Sequence, residues 1–260
     1  MKIDCHAHIM PAHWPDLKYK FGYGGFIYLD HDPKTKTAKM MRDDGKFFRK
    51  VEENCFNPEA ILWDMSANQV DQMVLCTVPV LFNYWAKPND AAWWASFLND
   101  HIAEVQSQRP DKFIALGTLP MQDIALSIKE LERLKTLNVK GVQIGSNINN
   151  VNLDDDRFLP LYAAMQDLDM ALFVHPWEMM GEEFTQKFWL PWLVGMPAET
   201  SRAVCSMIFG GIFDKFPNLR VMFAHAGGSF PFTLGRIAHG WAVRPDLVNL
   251  NDVKNPKDYI

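Results

Sequence analysis

The sequence predicts an α/β fold, a TIM-type (β/α)8 barrel that carries a small β insertion and runs through about six of its eight strand-helix units. Three observations predict it. Short apolar runs alternate with longer amphipathic stretches along the chain, as buried parallel strands joined by helical crossovers require. No linker or shift in composition interrupts that rhythm, so residues 1–260 read as one domain. Three of the apolar runs also end in histidine, at His6 and His8, at His175 and at His225, and a barrel of this kind gathers its working groups at the C-terminal ends of its strands.

Taken in order, Lys2 to His8 is the first strand, and its two-residue period turns His6 and His8 to one face. Residues 21–54 are rich in Gly, Lys and Asp. There Phe26-Ile-Tyr-Leu29 and Lys46 to Val51 alternate around the Asp44-Gly45 turn signal, which predicts a β insertion lying over the end of the first strand. Asn57 as N-cap and Pro58 at the first helical position open a helix to about Asn68. Met73 to Val78 is the second barrel strand. Asp90 to Gln108 is a helix stopped at Arg109-Pro110, and Phe113 to Leu119 the third strand. Ile124, Leu126, Ile128, Leu131, Leu134 and Leu137 line one face of a helix over Asp123 to Leu137, before strand four at Gly141 to Ile144. A helix over Asp154 to Leu168, strand five at Ala171 to His175, a helix over Ala198 to Phe213, strand six at Leu219 to Ala224 and a helical stretch over Phe232 to Ala242 complete the pattern. Beyond it the chain is polar and turn-rich, so the expected domain is incomplete at its C-terminus by two units.

Composition narrows the function. With 260 residues, 48% hydrophobic and 13% aromatic, the chain can bury a sizeable core. A net charge of -5, with no blocks of Lys or Arg, argues against a nucleic-acid partner or an anionic membrane surface, and an anionic substrate must be held by local arginines. Four cysteines without a Cys-x-x-Cys motif, no signal peptide and no apolar run of membrane-spanning length fit a reducing cytosol.

The histidines are the sharpest signal. Any one of them reads equally well as a hydrogen-bonded residue at a strand edge, but four at the ends of three separate strands read as a site. Three imidazoles with an open or carboxylate fourth position suit Zn²⁺ or a similar first-row ion. His13, His31, His101 and His239 lack that placement and read as surface or capping residues.

Longer motifs sharpen this. Lys2-Ile-Asp-Cys-His-Ala-His8, Arg49-Lys-Val-Glu-Glu-Asn54, Tyr84-Trp-Ala-Lys-Pro88, Leu116-Gly-Thr-Leu-Pro-Met121, Trp189-Leu-Pro-Trp-Leu-Val-Gly-Met-Pro-Ala-Glu-Thr200, and Phe223-Ala-His-Ala-Gly-Gly228 followed by Phe230-Pro-Phe-Thr-Leu-Gly-Arg236 span nearly the whole chain. On them the sequence resembles the 2-amino-3-carboxymuconate 6-semialdehyde decarboxylases of the amidohydrolase superfamily, zinc enzymes of tryptophan and kynurenine breakdown. The resemblance implies a Zn²⁺ held by His6, His8 and His175, with a fourth ligand, an Asp on the eighth strand, that has no counterpart in these 260 residues. It implies His225 as the general base beside the metal's water, with a fourth ligand role as its alternative. It implies Arg49 on the insertion as a substrate-binding residue, Arg236 offered to the neighbouring subunit of a homodimer, and Trp192 and Phe48 as pocket walls, although such aromatics are more often core. The implied reaction is a non-oxidative decarboxylation of a small dicarboxylate semialdehyde that needs no organic cofactor, and it limits quinolinate formation. Two other classes fit the same histidines: a zinc hydrolase of amides or lactones, which has no need of paired arginines, and an inactive shortened form that docks on full-length subunits.

Overall fold

The computed structural model describes all of residues 1–260. Strand β1 (Ile3–His8) opens the chain, and β2 (Ile27–Asp32), β3 (Thr37–Arg42) and β4 (Phe47–Val51) form a separate antiparallel sheet in that order. Next come β5 (Gln72–Cys76), β6 (Phe113–Thr118) and β7 (Gly141–Gly145), then a two-stranded hairpin of β8 (Asn147–Ile148) and β9 (Val151–Asn152), then β10 (Ala171–His175) and β11 (Val221–Phe223). Six of these make one curled parallel sheet in the order β1-β5-β6-β7-β10-β11, with β1 and β11 at its edges. The result is a curled (β/α) half-barrel.

A short helix α1 (Leu17–Phe21) packs with the antiparallel sheet, and α2 (Pro58–Ala67), α3 (Pro88–Gln108), α4 (Ile124–Thr136), α5 (Leu159–Asp167) and α6 (Met196–Phe209) cover the outer face of the parallel sheet, with a later helix at Phe230–Val243. Their starts follow local chemistry. The Asn57 side chain accepts from the Glu59 N–H at 3.0 Å and Asp123 from the Leu126 N–H at 3.0 Å, each satisfying a donor that the first helical turn leaves unpaired. No helix is long and apolar enough to cross a membrane.

Alternation along the strands divides the sheet into two faces. Leu75, Ala115, Val142, Ile144, Leu172 and Val174 pack outward with Ile102, Leu131, Leu134, Leu161 and Met207 of the helices in the main core. Cys76, Leu116, Phe173 and Met222 lie between them on the inner face. Burying both faces excludes water from the strands, which accounts for their continuous apolar runs.

The first strand departs from regular pairing. Asp4 lies opposite Met73, but Ala7 lies opposite Leu75 and His8 opposite Cys76, so β1 spends one residue more than β5 over this stretch. Without that slip His6 would stand opposite Leu75, in register with the outer core. With it, His8 shares the inner face with Cys76.

Several expectations need correction. The insertion has three strands where the alternation around Asp44-Gly45 suggests two. The additional one, β3, runs between the others and buries Thr37, Ala38 and Met40, but its Lys39 and Arg42 obscure the alternation. The helix expected over Ala198 to Phe213 begins at Met196 and ends at Phe209, because Gly211 adopts a left-handed conformation, φ 71°, before a separate turn at Ile212–Lys215. The sixth sheet strand is only Val221–Phe223, which leaves His225 beyond it on a turn.

Candidate metal centre

Strand ends bring three imidazoles together. The Nε2 atoms of His6 and His8 are 3.1 Å apart, and one nitrogen from each of His6, His8 and His175 lies within 4.8 Å of the others. The ring centres of His6 and His8 are each 5.2 Å from that of His175. Such a group could hold a divalent metal ion.

The surroundings of the three rings fit that use. His8 Nδ1–H donates to the Thr77 carbonyl at 2.9 Å, and His175 Nδ1–H donates to the Pro176 carbonyl at 2.9 Å. A backbone carbonyl can only accept, so each bond places the proton on Nδ1 and leaves Nε2 with a free lone pair. Burial disfavours the charged form of all three rings. It brings His6 to about 4, with help from the charge of His225, and His8 to about 4, with help from His6. His175, 4% exposed, falls to about 2 through burial and then the neighbouring His8 and His6. Neutral imidazoles are the form a metal takes, so no proton need be displaced near pH 7. Phe173 lies against His6 with ring centres 4.9 Å apart. Cys76 also approaches His8, but burial pushes its thiol up, and its Sγ is turned to the Ala7 carbonyl at 3.2 Å.

His225 completes the cluster from the opposite edge of the sheet. Its ring centre is 5.0 Å from those of His6 and His175, and burial lowers its pKa. The turn that carries it is strained: His225 and Ala226 both sit at φ 55°, followed by Gly227 and Gly228 at φ 78° and 63°. Gly228 is obligatory there, since a Cβ would stand 2.5 Å from the Pro197 carbonyl oxygen.

A cavity of about 260 Å³ opens over this cluster. His8, His175 and His225 line it, together with Phe48 and Arg49 of β4 and with Trp192. Arg49 is exposed, forms no salt bridge, and faces the Trp192 ring at 5.7 Å. Arg236 is not brought there. It is exposed on the Phe230–Val243 helix and lines no part of this cavity. Trp177, Met196, Cys55 and Val80 also form the walls, and none of them is among the residues expected there, although Met196 lies within the Trp189 to Thr200 motif. Trp177, two residues past His175, offers a further clue.

The sequence pattern of the amidohydrolase family matches residues 3–253. The chain belongs to the amidohydrolase family. Within it, the chain is 54% identical over 261 residues to the 2-amino-3-carboxymuconate-6-semialdehyde decarboxylase of Dictyostelium discoideum, covering all of this chain and 72% of that one. The fold matches the apo crystal structure of Metarhizium anisopliae IDCase with a TM-score of 0.81 at 21% identity, over 97% of this chain and 72% of the other. A 5-carboxyvanillate decarboxylase from Novosphingobium aromaticivorans, crystallised with bound manganese, matches with a TM-score of 0.70 at 28% identity, over 78% of this chain and 60% of the other. These likenesses place this amidohydrolase among the family's carbon-carbon lyases, the decarboxylases.

Proposed function

We propose that the chain catalyses the non-oxidative decarboxylation of 2-amino-3-carboxymuconate 6-semialdehyde to 2-aminomuconate 6-semialdehyde, in cytosolic tryptophan and kynurenine catabolism, and so limits quinolinate formation. The observation that carries this reading is the unpaired Arg49 guanidinium at the mouth of the cavity whose floor holds the imidazole cluster. A fixed cationic fork beside neutral nitrogen ligands suits an anionic small molecule with one end on a metal and a carboxylate on the arginine. His6, His8 and His175 would hold the ion, proposed as Zn²⁺; bound there, it would supply Lewis acidity toward an oxygen it coordinates.

The remaining chemistry falls to the chain's own residues. Arg49 binds a substrate carboxylate, while Trp192 and Phe48 hold the flat conjugated system between them. His225 is neutral near pH 7 and stands at the rim, where it takes a proton from water as the water oxygen adds to the alkene carbon next to the one bearing the departing carboxylate. That proton goes to the carboxylate-bearing carbon. Cleavage of the C–CO2 bond then re-forms the double bond as hydroxide leaves and takes a proton from solvent, so water is returned and the net change is loss of carbon dioxide with the earlier proton replacing it on carbon.

The reading includes a homodimer in which Arg236 serves the neighbouring site. Phe232, four residues before Arg236 on the same helix, is 96% exposed, and Phe184, Phe188 and Trp189 add exposed apolar surface. Exposed apolar side chains of this size are what a partner surface would cover. The deciding experiment supplies the muconate semialdehyde to the zinc-loaded chain and measures carbon dioxide release. Turnover of this compound, absent with simple esters and amides, is the expected result. Hydrolysis of esters with no carbon dioxide would replace the reading with a zinc hydrolase.

A further inference from the structure

Glu199 has no part in the reaction described above, yet its side chain is fully buried and four donors converge on it. Ser146 Oγ–H at 2.9 Å, Asn147 Nδ2–H at 3.1 Å and the Arg202 guanidinium reach Oε1, and the Met180 N–H reaches Oε2 at 3.1 Å. These donors come from three places. Ser146 and Asn147 follow β7, Arg202 is one turn along α6, and Met180 belongs to the loop after β10. Ser146 and Asn147 pass the connection on toward the cavity. Ser146 Oγ accepts from the Trp177 N–H at 3.2 Å, Asn147 Nδ2–H donates to the Trp177 carbonyl at 2.9 Å, and the Ser146 N–H donates to the His175 carbonyl at 2.9 Å.

We infer that Glu199 is a positioning residue, a carboxylate clamp that holds the loop after β10 against β7 so that Trp177 walls the cavity and the His175 ring stays aimed at the metal site. Only an acceptor with two oxygens satisfies four donors from three elements, and a buried hub of this kind transmits its loss to everything it holds. The carbonyl that orients His175 belongs to Pro176, the residue between His175 and the clamped Trp177. Loosening the loop therefore loosens the ligand. The inference rests on the metal reading proposed above, and its test separates the two.

The probe is Co²⁺ alone, titrated into the metal-free full chain by its visible absorption, with amide hydrogen exchange of residues 176–182 measured in parallel. Glu199→Gln keeps the volume but sets a donor against donors. We expect it to weaken cobalt binding about 10- to 100-fold, the usual cost of losing a partner that orients a ligand, and to speed exchange in 176–182 more than elsewhere. Glu199→Asp should recover part of both. Should Glu199→Gln fail to fold, Ser146→Ala removes one link and should give a smaller change in the same two readouts. Unchanged cobalt affinity together with uniform exchange in the variants would overturn the clamp. If the unsubstituted chain takes up no cobalt, the metal reading fails and the exchange comparison alone decides whether the clamp exists.

Discussion

The Arg49 guanidinium stands 5.7 Å from the centre of the Trp192 ring, so the antiparallel sheet and the segment before α6 meet across the mouth of the histidine cavity. A planar cation over an indole face is held in orientation without being neutralised, which leaves its N–H groups free for an anion.

Arg49→Ala should therefore raise KM about 10- to 100-fold, the worth of one or two charge-assisted hydrogen bonds, with a smaller change in kcat. Arg49→Lys should recover little, because a point charge cannot fork to a carboxylate. Steady-state kinetics on the muconate semialdehyde checks both. A fall in kcat at constant KM would instead give Arg49 a role in the chemical step.

His225→Ala should keep the metal and lose about 10²- to 10⁴-fold in turnover, as removal of a general base does. Metal content after dialysis is the companion measurement. A metal-free variant would make His225 a ligand.

Acid should destabilise the metal-free chain through the same histidines. Folding depresses His6 and His8 to about 4 and His175 to about 2 from the ordinary 6.5, so the unfolded chain binds more protons between those limits. Their contribution to stability is complete above about pH 6.5 and is lost progressively as pH falls toward 4 and below. At pH 5, unfolding should take up about two to three protons from these residues, read as the slope of unfolding free energy against pH. A flat profile between pH 7 and 4.5 would contradict the burial assigned to the three rings.

Mixing Arg49→Ala with Arg236→Ala chains tests the shared site. If Arg236 serves a neighbour, mixed dimers carry one site with both arginines intact, and activity should return toward a quarter of the unsubstituted value at equal mixing, the share expected for random pairing with one good site in half of the dimers. No recovery would confine Arg236 to its own chain.

How much of this was legible in the sequence depended on distance along the chain. His6, His8 and His175 could be placed because the first two share the end of one apolar run and the third ends another, and a strand's direction and parity are local properties. The N-cap at Asn57 was legible for the same reason. β3 was not, since Lys39 and Arg42 interrupt its apolar pattern and its pairing with both neighbours decides its conformation. Nor was the Glu199 hub, whose donors lie up to 53 residues away and are brought together only by packing β7 beside β10. Trp177 and Met196 became cavity walls by the same non-local route.

The register slip in β1 has a consequence for how this site tolerates change. The histidines face inward because a bulge between Asp4 and Ala7 takes up the one residue by which the strand exceeds its neighbour between Met73 and Leu75. What is encoded there is a count as much as a composition. Cys5, an exposed residue in that interval, should accept Ser or Ala with no loss of metal, and even its deletion should only straighten the strand, with Ala7 still opposite Leu75 and His8 opposite Cys76, whereas one residue inserted between His6 and His8 should turn one of the two imidazoles to the helices. Metal stoichiometry of Cys5→Ser against the insertion distinguishes spelling from spacing. A lineage could thus drift freely in letter around the two histidines and yet be held, generation after generation, to the single residue between them.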